Sequence, residues 1–179
     1  MAPRFDSLST MQKKVFGLTG LSGSGKTTLI TKLVDWFTQR GYKISTLKHT
    51  HHGFDLDSPG KDSWRMREAG AQEVFLVGSR RLVLLQEFRD MPEPSVDELV
   101  ARLQPCDLVL VEGYKRDPLP KIEVHRPSLE NPPVWPGNHS VVAVATDAPV
   151  DTPLPVLDLN DTDAIARFII NHLRLLPRG

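Results

Sequence analysis

Residues 20–27 carry the most specific chemical pattern in the chain, G-x-x-x-x-G-K-T. Glycines let successive backbone N–H groups turn inward around phosphate oxygens, and a helix that follows adds unpaired donors and its positive dipole end. In this pattern Lys26 reaches the β- and γ-phosphates, and the Thr27 hydroxyl binds Mg²⁺. The pattern therefore predicts a nucleotide-binding P-loop. Its residues are Gly20, Ser22, Gly23, Ser24, Gly25, Lys26, Thr27 and Thr28.

Two acidic residues each follow an apolar run that is typical of a buried strand. Glu112 ends the run DLVLVE, and Asp147 ends VVAVATD. Ligands of open α/β sheets lie beyond the carboxyl ends of the strands, so Glu112 is placed to bind Mg²⁺. Asp107 begins the same run and is therefore too far from the phosphates. Asp147 is placed to accept hydrogen bonds from guanine N1–H and N2–H₂, which adenine does not offer. Because the N-K-x-D motif is absent, a turn aspartate before Pro149 stays an alternative.

A third polar segment, KHTHHGFDLDSPGKDS at residues 48–63, combines three histidines, three aspartates and two lysines. It fits a transition-metal site, a loop that senses the nucleotide, or a solvated loop. Against the metal site, His49 and His51 point to one side of an extended chain and His52 to the other. The remaining histidines are scattered along the chain and form no second ligand cluster.

The nucleotide-sensing interpretation gives the acids and lysines separate roles. The loop after the second strand of a P-loop fold passes the γ-phosphate and Mg²⁺, so Asp55 or Asp57 would bind the metal through water or orient an attacking water. Lys48 and Lys61 would contact phosphate. The predicted catalytic residues are Asp57 and Glu112, and the predicted metal ligands are Thr27, Asp57 and Glu112. The predicted switch or anion-binding loop comprises Lys48, His49, His51, His52, Asp55, Lys61, Asp62 and Arg65.

Strands must alternate with helices to bring these groups to one edge of a sheet. Apolar residues recur at helical spacing over 26–40, where Gly41 supplies a stop, and residues 43–48 alternate like a strand. The runs 73–77 and 81–86 are separated by three turn residues and predict an antiparallel hairpin. Further strands are predicted over 15–19, 107–112, 121–125, 141–145 and 155–159, and further helices over 96–103 and after Asp161. This order predicts an α/β fold, a three-layer P-loop NTPase fold with a mainly parallel sheet.

The stretch between the polar segment and the hairpin predicts a short helix over 63–69. Asp62 or Ser63 is placed to cap it, because their side-chain oxygens accept from the first unpaired N–H groups of a helix. Arg65 and Arg67 are predicted on its exposed face, where Arg65 is close enough to the polar segment to contact an anion.

Length and composition indicate one globular domain. The 179 residues suffice for a single nucleotide-binding domain over 12–179, after a disordered extension at 1–11. The 22 basic and 22 acidic residues balance, so no global field attracts nucleic acid or an anionic membrane. Cys106 is the only cysteine, which excludes a disulfide framework and a cysteine-rich zinc site. No apolar run approaches the ~20 residues of a membrane helix, and the N-terminus lacks the apolar region of a secretory signal, so a cytoplasmic protein is expected.

Four segments in this order, GLSGSGKTT, LKHTHHGFDLDSPGKDS, LVLVEGYK and VVAVATD, resemble one protein family. They are similar to the molybdopterin-guanine dinucleotide biosynthesis protein B family, MobB, and the similarity extends over nearly the whole chain from about Met11. Many families share the P-loop, whereas the run with paired histidines and aspartates is far more discriminating. Gly53 departs from the family, whose members often carry an acid after the paired histidines.

The resemblance implies an accessory GTP-binding protein with weak Mg²⁺-dependent GTPase activity. It implies GTP and Mg²⁺ as ligands, a homodimer, and assistance to the guanylyltransferase that joins GMP to molybdopterin. Molybdopterin or its guanine dinucleotide is then a further ligand, whose anionic phosphate Lys48 and Lys61 could contact.

Two other functions stay open from the sequence. A metallochaperone GTPase would use the histidines of the polar segment to deliver a metal ion. An ATP-dependent small-molecule kinase would need an arginine-rich lid, for which only Arg80, Arg81 and the loop at 115–126 are available.

Overall fold

The computed structural model describes residues 13–50 and 53–178. The extension predicted over 1–11 lies outside these residues. These residues divide into two compact units, one formed by residues 13–49 and 96–178 and the other by residues 50 and 53–95. The single domain predicted over 12–179 stays a prediction, because compactness does not show whether the two units fold together.

Strands and helices alternate along the chain as predicted, and the predicted boundaries differ from those of the structure by at most two residues. In chain order the elements are β1 (Lys14–Thr19), α1 (Lys26–Thr38), β2 (Ile44–Lys48), α2 (Asp62–Glu68), β3 (Glu73–Val77), β4 (Leu82–Gln86), α3 (Val96–Arg102), β5 (Leu108–Glu112), β6 (Lys121–His125), β7 (Val141–Thr146), β8 (Val156–Asp158) and α4 (Thr162–Leu173). Short 3-10 helices cover Pro127–Leu129 and Trp135–Gly137. Within the described part of the chain, no helix is long and apolar enough to cross a membrane.

Six strands of the first unit form one sheet in the order β2-β5-β1-β6-β7-β8. Every neighbouring pair in it is parallel. The α/β fold class with a mainly parallel sheet is therefore confirmed. Because parallel strands end at the same edge of a sheet, the loops that follow them meet there.

Strand β5 shows why both faces of this sheet are covered. Its side chains alternate, so Leu108 and Leu110 pack on one face with α1 and α4. Val109 and Val111 pack on the other face with Val96 of α3. All five strand and helix side chains are buried. A continuous apolar run with no polar alternation is what a strand buried on both faces requires, and it produces the predicted three layers.

Strand β6, which lies beside β1 and β7, carries two buried charged side chains that bind neighbouring loops. Lys121 Nζ donates to three backbone carbonyl oxygens between residues 114 and 117 at 2.7–3.3 Å, and burial lowers its pKa. Glu123 accepts hydrogen bonds from the backbone N–H groups of Val134 and Trp135, and burial raises its pKa. These contacts satisfy charged groups that would otherwise be costly to bury.

The second unit contains α2 and the antiparallel hairpin of β3 and β4. The strands pair from Glu73 with Gln86 to Val77 with Leu82, which confirms the predicted hairpin. Helix α2 follows Lys61, and among the residues that the structure describes no side chain caps it. The cap predicted from Asp62 or Ser63 is therefore wrong. Asp62 is already the first helical residue, and the Ser63 hydroxyl donates instead to Asp57 at 2.7 Å.

Candidate phosphate and magnesium site

The loop between β1 and α1 has the backbone geometry that its glycines were predicted to provide. Gly20 has φ +131°, and a Cβ there would lie 2.3 Å from the carbonyl oxygen of Val124. Gly25, with φ +99°, immediately precedes α1. Ser24 is buried, and no described residue hydrogen bonds its hydroxyl. Since buried polar groups normally have a partner, this hydroxyl is a place where a bound ligand would contribute one.

Lys26, the first residue of α1, lies back against this loop. Its Nζ donates to the carbonyl oxygen of Leu21 at 2.6 Å. The pKa of Lys26 is lowered because burial disfavours the ammonium ion; the charge of Glu112 opposes the shift and that of Lys48 adds to it. A partly desolvated ammonium ion has lost water contacts and gains more from an anionic partner than an exposed one.

Three side chains converge where β1, β2 and β5 end. Strand pairing places Glu112 level with Leu18 of β1 and with Lys48 of β2. The Thr27 hydroxyl lies 2.9 and 3.0 Å from the two carboxylate oxygens of Glu112, to which it donates. Lys48 Nζ lies 3.3 Å from Glu112 Oε1 and donates to Thr27 Oγ1 at 3.1 Å. We call Thr27, Lys48 and Glu112 the strand-end cluster.

The strand-end cluster contains oxygen atoms of the kind that Mg²⁺ prefers. Hydroxyl and carboxylate oxygens suit this ion, which in nucleotide sites is held by one or two protein groups together with phosphate oxygens and water. Over residues 13–50 and 53–178, no three His, Cys, Asp or Glu side chains are grouped closely enough to hold a metal ion. A Mg²⁺ ion at Thr27 and Glu112 would thus require phosphate and water to complete its ligands.

Arg126 is a site residue that the sequence reasoning missed. It directly follows β6, the neighbour of β1, and its Nε donates to the carbonyl oxygen of Ser24 at 2.9 Å. Its Nη1 forms an ion pair with Asp147, the residue predicted to contact guanine. The sequence signal for Arg126 is its position directly after β6, because ligands of such sheets lie beyond the strand ends. The Asp147 carboxylate is therefore already engaged by Arg126.

Two acids of the polar segment, Asp55 and Asp57, lie in the second unit around Arg67. The Arg67 guanidinium contacts Asp55 at 2.9 Å, Asp57 at 3.2 Å and Glu87 at 2.7 Å. These bonds, that to Glu87 first, raise the pKa of Arg67. The pKa of Asp55 is lowered by the backbone N–H of Asp57 and by Arg67. The exposed position predicted for Arg67 is wrong, because its side chain is only 14% exposed within this group of acids.

The predicted site residues are thus divided between the two units. The P-loop, Lys48, His49, Glu112 and Asp147 belong to the first unit, and Asp55, Asp57, Lys61, Asp62 and Arg65 belong to the second. The His49 ring packs on Tyr114 with centroids 4.8 Å apart. Lys61, Asp62 and Arg65 are exposed. His51 and His52 lie outside the described residues.

Comparison with known proteins gives a consistent family. The model of the family described as molybdopterin guanine dinucleotide synthesis protein B matches residues 15–147. Two relatives are named molybdopterin-guanine dinucleotide biosynthesis adapter protein. The one from Haemophilus influenzae is 42% identical over 165 residues, covering 90% of each chain. The one from Escherichia coli is 36% identical over 156 residues, covering 86% of this chain and 89% of the relative.

Two solved structures are also similar to this protein over most of its length. A MobB protein homolog from Bacillus stearothermophilus has a TM-score of 0.63 at 28% identity, covering 89% of this chain and 97% of that chain. Bacillus subtilis MobB has a TM-score of 0.69 at 24% identity, covering 89% and 98%, and supports the fold alone.

Proposed function

Because this chain belongs to the molybdopterin guanine dinucleotide synthesis protein B family, we propose that it serves this synthesis as an adapter that binds GTP together with Mg²⁺. The observation that carries the nucleotide part is the approach of the Thr27 hydroxyl to both carboxylate oxygens of Glu112 beside a glycine-rich loop. Family membership favours this function over a small-molecule kinase or a metallochaperone.

Each group of the P-loop has a role in the proposed binding. The loop surrounds the phosphates, and Lys26 compensates their charge from the start of α1. Thr27 and Glu112 hold Mg²⁺, which when bound would neutralise the β- and γ-phosphate oxygens. The unpartnered Ser24 hydroxyl supports a phosphate contact at the buried side of the loop. Asp147 would accept hydrogen bonds from the guanine edge.

Slow hydrolysis fits the surroundings of Asp57, the predicted catalytic residue. Its carboxylate accepts from the Ser63 hydroxyl at 2.7 Å and from Arg67 at 3.2 Å. These contacts already occupy acceptor positions on both carboxylate oxygens of Asp57, which leaves fewer of them to orient an attacking water. We propose that GTP binding is the main property of this protein and that its turnover is slow.

Isothermal calorimetry with GTP, GDP and ATP, with and without Mg²⁺, tests the nucleotide proposal. GTP and GDP are expected to bind about tenfold or more tightly than ATP, because guanine offers two donors to Asp147. Lys26→Ala is expected to weaken GTP binding by roughly 100-fold, because the loss of a hydrogen bond between charged groups has a free energy in the upper range for hydrogen bonds. The control is Lys32→Ala, which removes the same charge from an exposed position on α1.

This experiment tests the guanine assignment and the phosphate site independently of each other. Equal affinity for ATP and GTP would remove the guanine assignment and leave the phosphate site. Normal GTP binding by Lys26→Ala would remove the phosphate site itself.

We also propose a homodimer, supported by an exposed apolar face on the hairpin of β3 and β4. The directly paired residues Phe75 with Leu84 and Val77 with Leu82 share one face of this two-stranded sheet. These four side chains are 41–77% exposed. A two-stranded sheet is only marginally stable by itself, and an exposed apolar patch marks an interaction surface, so a second copy of the chain is expected to cover it.

Further proposed partners are the guanylyltransferase that joins GMP to molybdopterin, and molybdopterin or its guanine dinucleotide. The adapter name that the relatives carry supports a protein partner. The exposed cationic side chains of Lys61 and Arg65 in the second unit support contact with an anionic phosphate group.

A further inference from the structure

Lys48 contacts both protein groups to which the proposed function assigns Mg²⁺. Its ammonium nitrogen lies 3.1 Å from Thr27 Oγ1 and 3.3 Å from Glu112 Oε1. The Glu112 side chain is 11% exposed, whereas that of Lys48 is 57% exposed. A solvent-facing cation thus covers a nearly buried carboxylate at the point where a metal ion would bind it.

A Mg²⁺ ion and the Lys48 ammonium ion are not compatible at this position. The metal binds oxygen at about 2.1 Å, which would bring it within about 5.5 Å of Nζ, and the carboxylate oxygens would have to serve two cations. The ammonium ion of Lys26, the residue that precedes Thr27 in α1, adds a third positive charge. Before the phosphates of a nucleotide are bound, one carboxylate cannot compensate all three.

We propose that Lys48 and Mg²⁺ compete for Thr27 and Glu112, so that binding of the metal displaces the lysine from the strand-end cluster. This inference rests on the proposed binding of a magnesium nucleotide at the P-loop. Lys48 then acts as a positioning residue. It supplies the charge that compensates Glu112 or the phosphates while no metal is bound, and it withdraws when Mg²⁺ takes over that task.

The surroundings of Lys48 give the displaced side chain a place to go. In the six-stranded sheet of the described residues β2 is an edge strand, so Lys48 has a neighbouring strand on one side there. The cluster lines a cavity of about 340 Å³ whose other walls include the apolar side chains of Ile30 and Val34. A lysine stem lies readily along an apolar wall while its ammonium ion stays in water. Displacement therefore requires no rearrangement of the core.

Calorimetric titration of GDP in excess Mg²⁺ and in EDTA tests the competition through Lys48→Met, which keeps the stem and removes the charge. Without metal, the variant is expected to bind GDP roughly fivefold more weakly than wild type, the factor that corresponds to about 1 kcal/mol for an exposed ion pair. With saturating Mg²⁺, the two proteins are expected to bind GDP equally, because the lysine has already withdrawn. Lys48→Arg retains a cation and is expected to restore the wild-type ratio between the two conditions.

A lasting phosphate contact by Lys48 would give a different pattern, a loss of equal size in EDTA and in Mg²⁺, and would overturn the proposal. Equal binding in EDTA by wild type and Lys48→Met would overturn it as well. Lys32→Met controls for the change in net charge from an exposed position on α1 and is expected to leave both affinities unchanged.

A second measurement needs no nucleotide and keeps this inference separate from the proposed function. Electron paramagnetic resonance follows free Mn²⁺ as it is titrated into the nucleotide-free protein. Lys48→Met is expected to bind Mn²⁺ roughly fivefold more tightly than wild type, because the competing ammonium ion is gone. Unchanged Mn²⁺ affinity would refute the competition. Absence of GDP binding to the wild-type protein would instead refute the proposed function.

Discussion

At the scale of single residues, the Asp147 carboxylate has two possible partners. It already forms an ion pair with Arg126, whose Nε also binds the carbonyl oxygen of Ser24 in the P-loop. The same carboxylate is the proposed acceptor for guanine. Arg126 thus connects the residue that is proposed to recognise the base with the phosphate loop.

Asp147→Asn tests guanine recognition at this residue. Asparagine offers one acceptor and one donor group in place of two acceptors, so a hydrogen bond from guanine is lost. The ratio of the dissociation constants of ADP and GDP is expected to fall about tenfold, as expected for a lost hydrogen bond to a charged group. Calorimetry with both nucleotides measures this ratio.

Arg126→Gln is the matched control, because it breaks the same ion pair and leaves the carboxylate. It is expected to weaken GDP and ADP together, through the lost contact with Ser24, and to keep their ratio. If it lowers the ratio as much as Asp147→Asn does, the ion pair governs discrimination and the proposed role of Asp147 is wrong.

The residues that sequence reasoning placed correctly and those that it missed differ in what positions them. Glu112 ends a continuous apolar run, so the local sequence indicated both the strand and the residue at which that strand ends. Arg126 follows a short strand within a proline-rich stretch, and its contact with Ser24 depends on β6 lying beside β1, which local sequence does not reveal. Arg67 binds acids 10, 12 and 20 residues away, so a helical pattern alone wrongly predicted exposure.

At the scale of elements, strand identity was more predictable than strand neighbours. Apolar runs such as those of β5 and β7 indicate buried strands by themselves. Their order in the sheet depends on which helices cover which face, and therefore on packing across the whole unit. The cluster of Thr27, Lys48 and Glu112 depends on that order, because β5 lies between β1 and β2.

The hairpin carries the prediction that belongs to this scale. Changing Phe75 to Glu and Leu84 to Lys replaces an apolar cross-strand pair with an oppositely charged pair, which keeps the hairpin paired and makes its exposed face polar. Multi-angle light scattering is expected to show a dimer for the wild type and a monomer for this variant. The desolvation free energy of the two new charges in an interface would exceed the favourable free energy of the contact.

The control for the hairpin variant makes the same charge changes elsewhere in the second unit. Phe54 and Leu56 are 72% and 77% exposed and lie outside both strands, so Phe54→Glu with Leu56→Lys is expected to leave the dimer intact. A monomeric wild type, or a hairpin variant that stays dimeric, would exclude this face as the dimer contact.

At the scale of the whole molecule, the predicted site residues are shared between two units of the chain. The strand-end cluster belongs to the first unit, and Asp55, Asp57 and Arg67 belong to the second. Lys48 ends β2, two residues before the second unit begins at Thr50. If the affinity of an adapter for another enzyme depends on its bound nucleotide, a structural change at the P-loop must extend to surfaces outside the P-loop. Displacement of Lys48 at this position would be the first step of such a change.

Coupling between GTP binding and binding of the proposed guanylyltransferase partner can be measured in both directions. We expect this chain to bind the purified guanylyltransferase at least fivefold more tightly with GTP and Mg²⁺ than without nucleotide, which is the lower range of allosteric coupling. By linkage, the guanylyltransferase must tighten GTP binding by the same factor. Lys26→Ala is expected to bind the enzyme with an affinity that GTP does not change. If wild type binds both GTP and the enzyme but neither affects the affinity of the other, the protein joins them without sensing its nucleotide, and the adapter role proposed for GTP would be wrong.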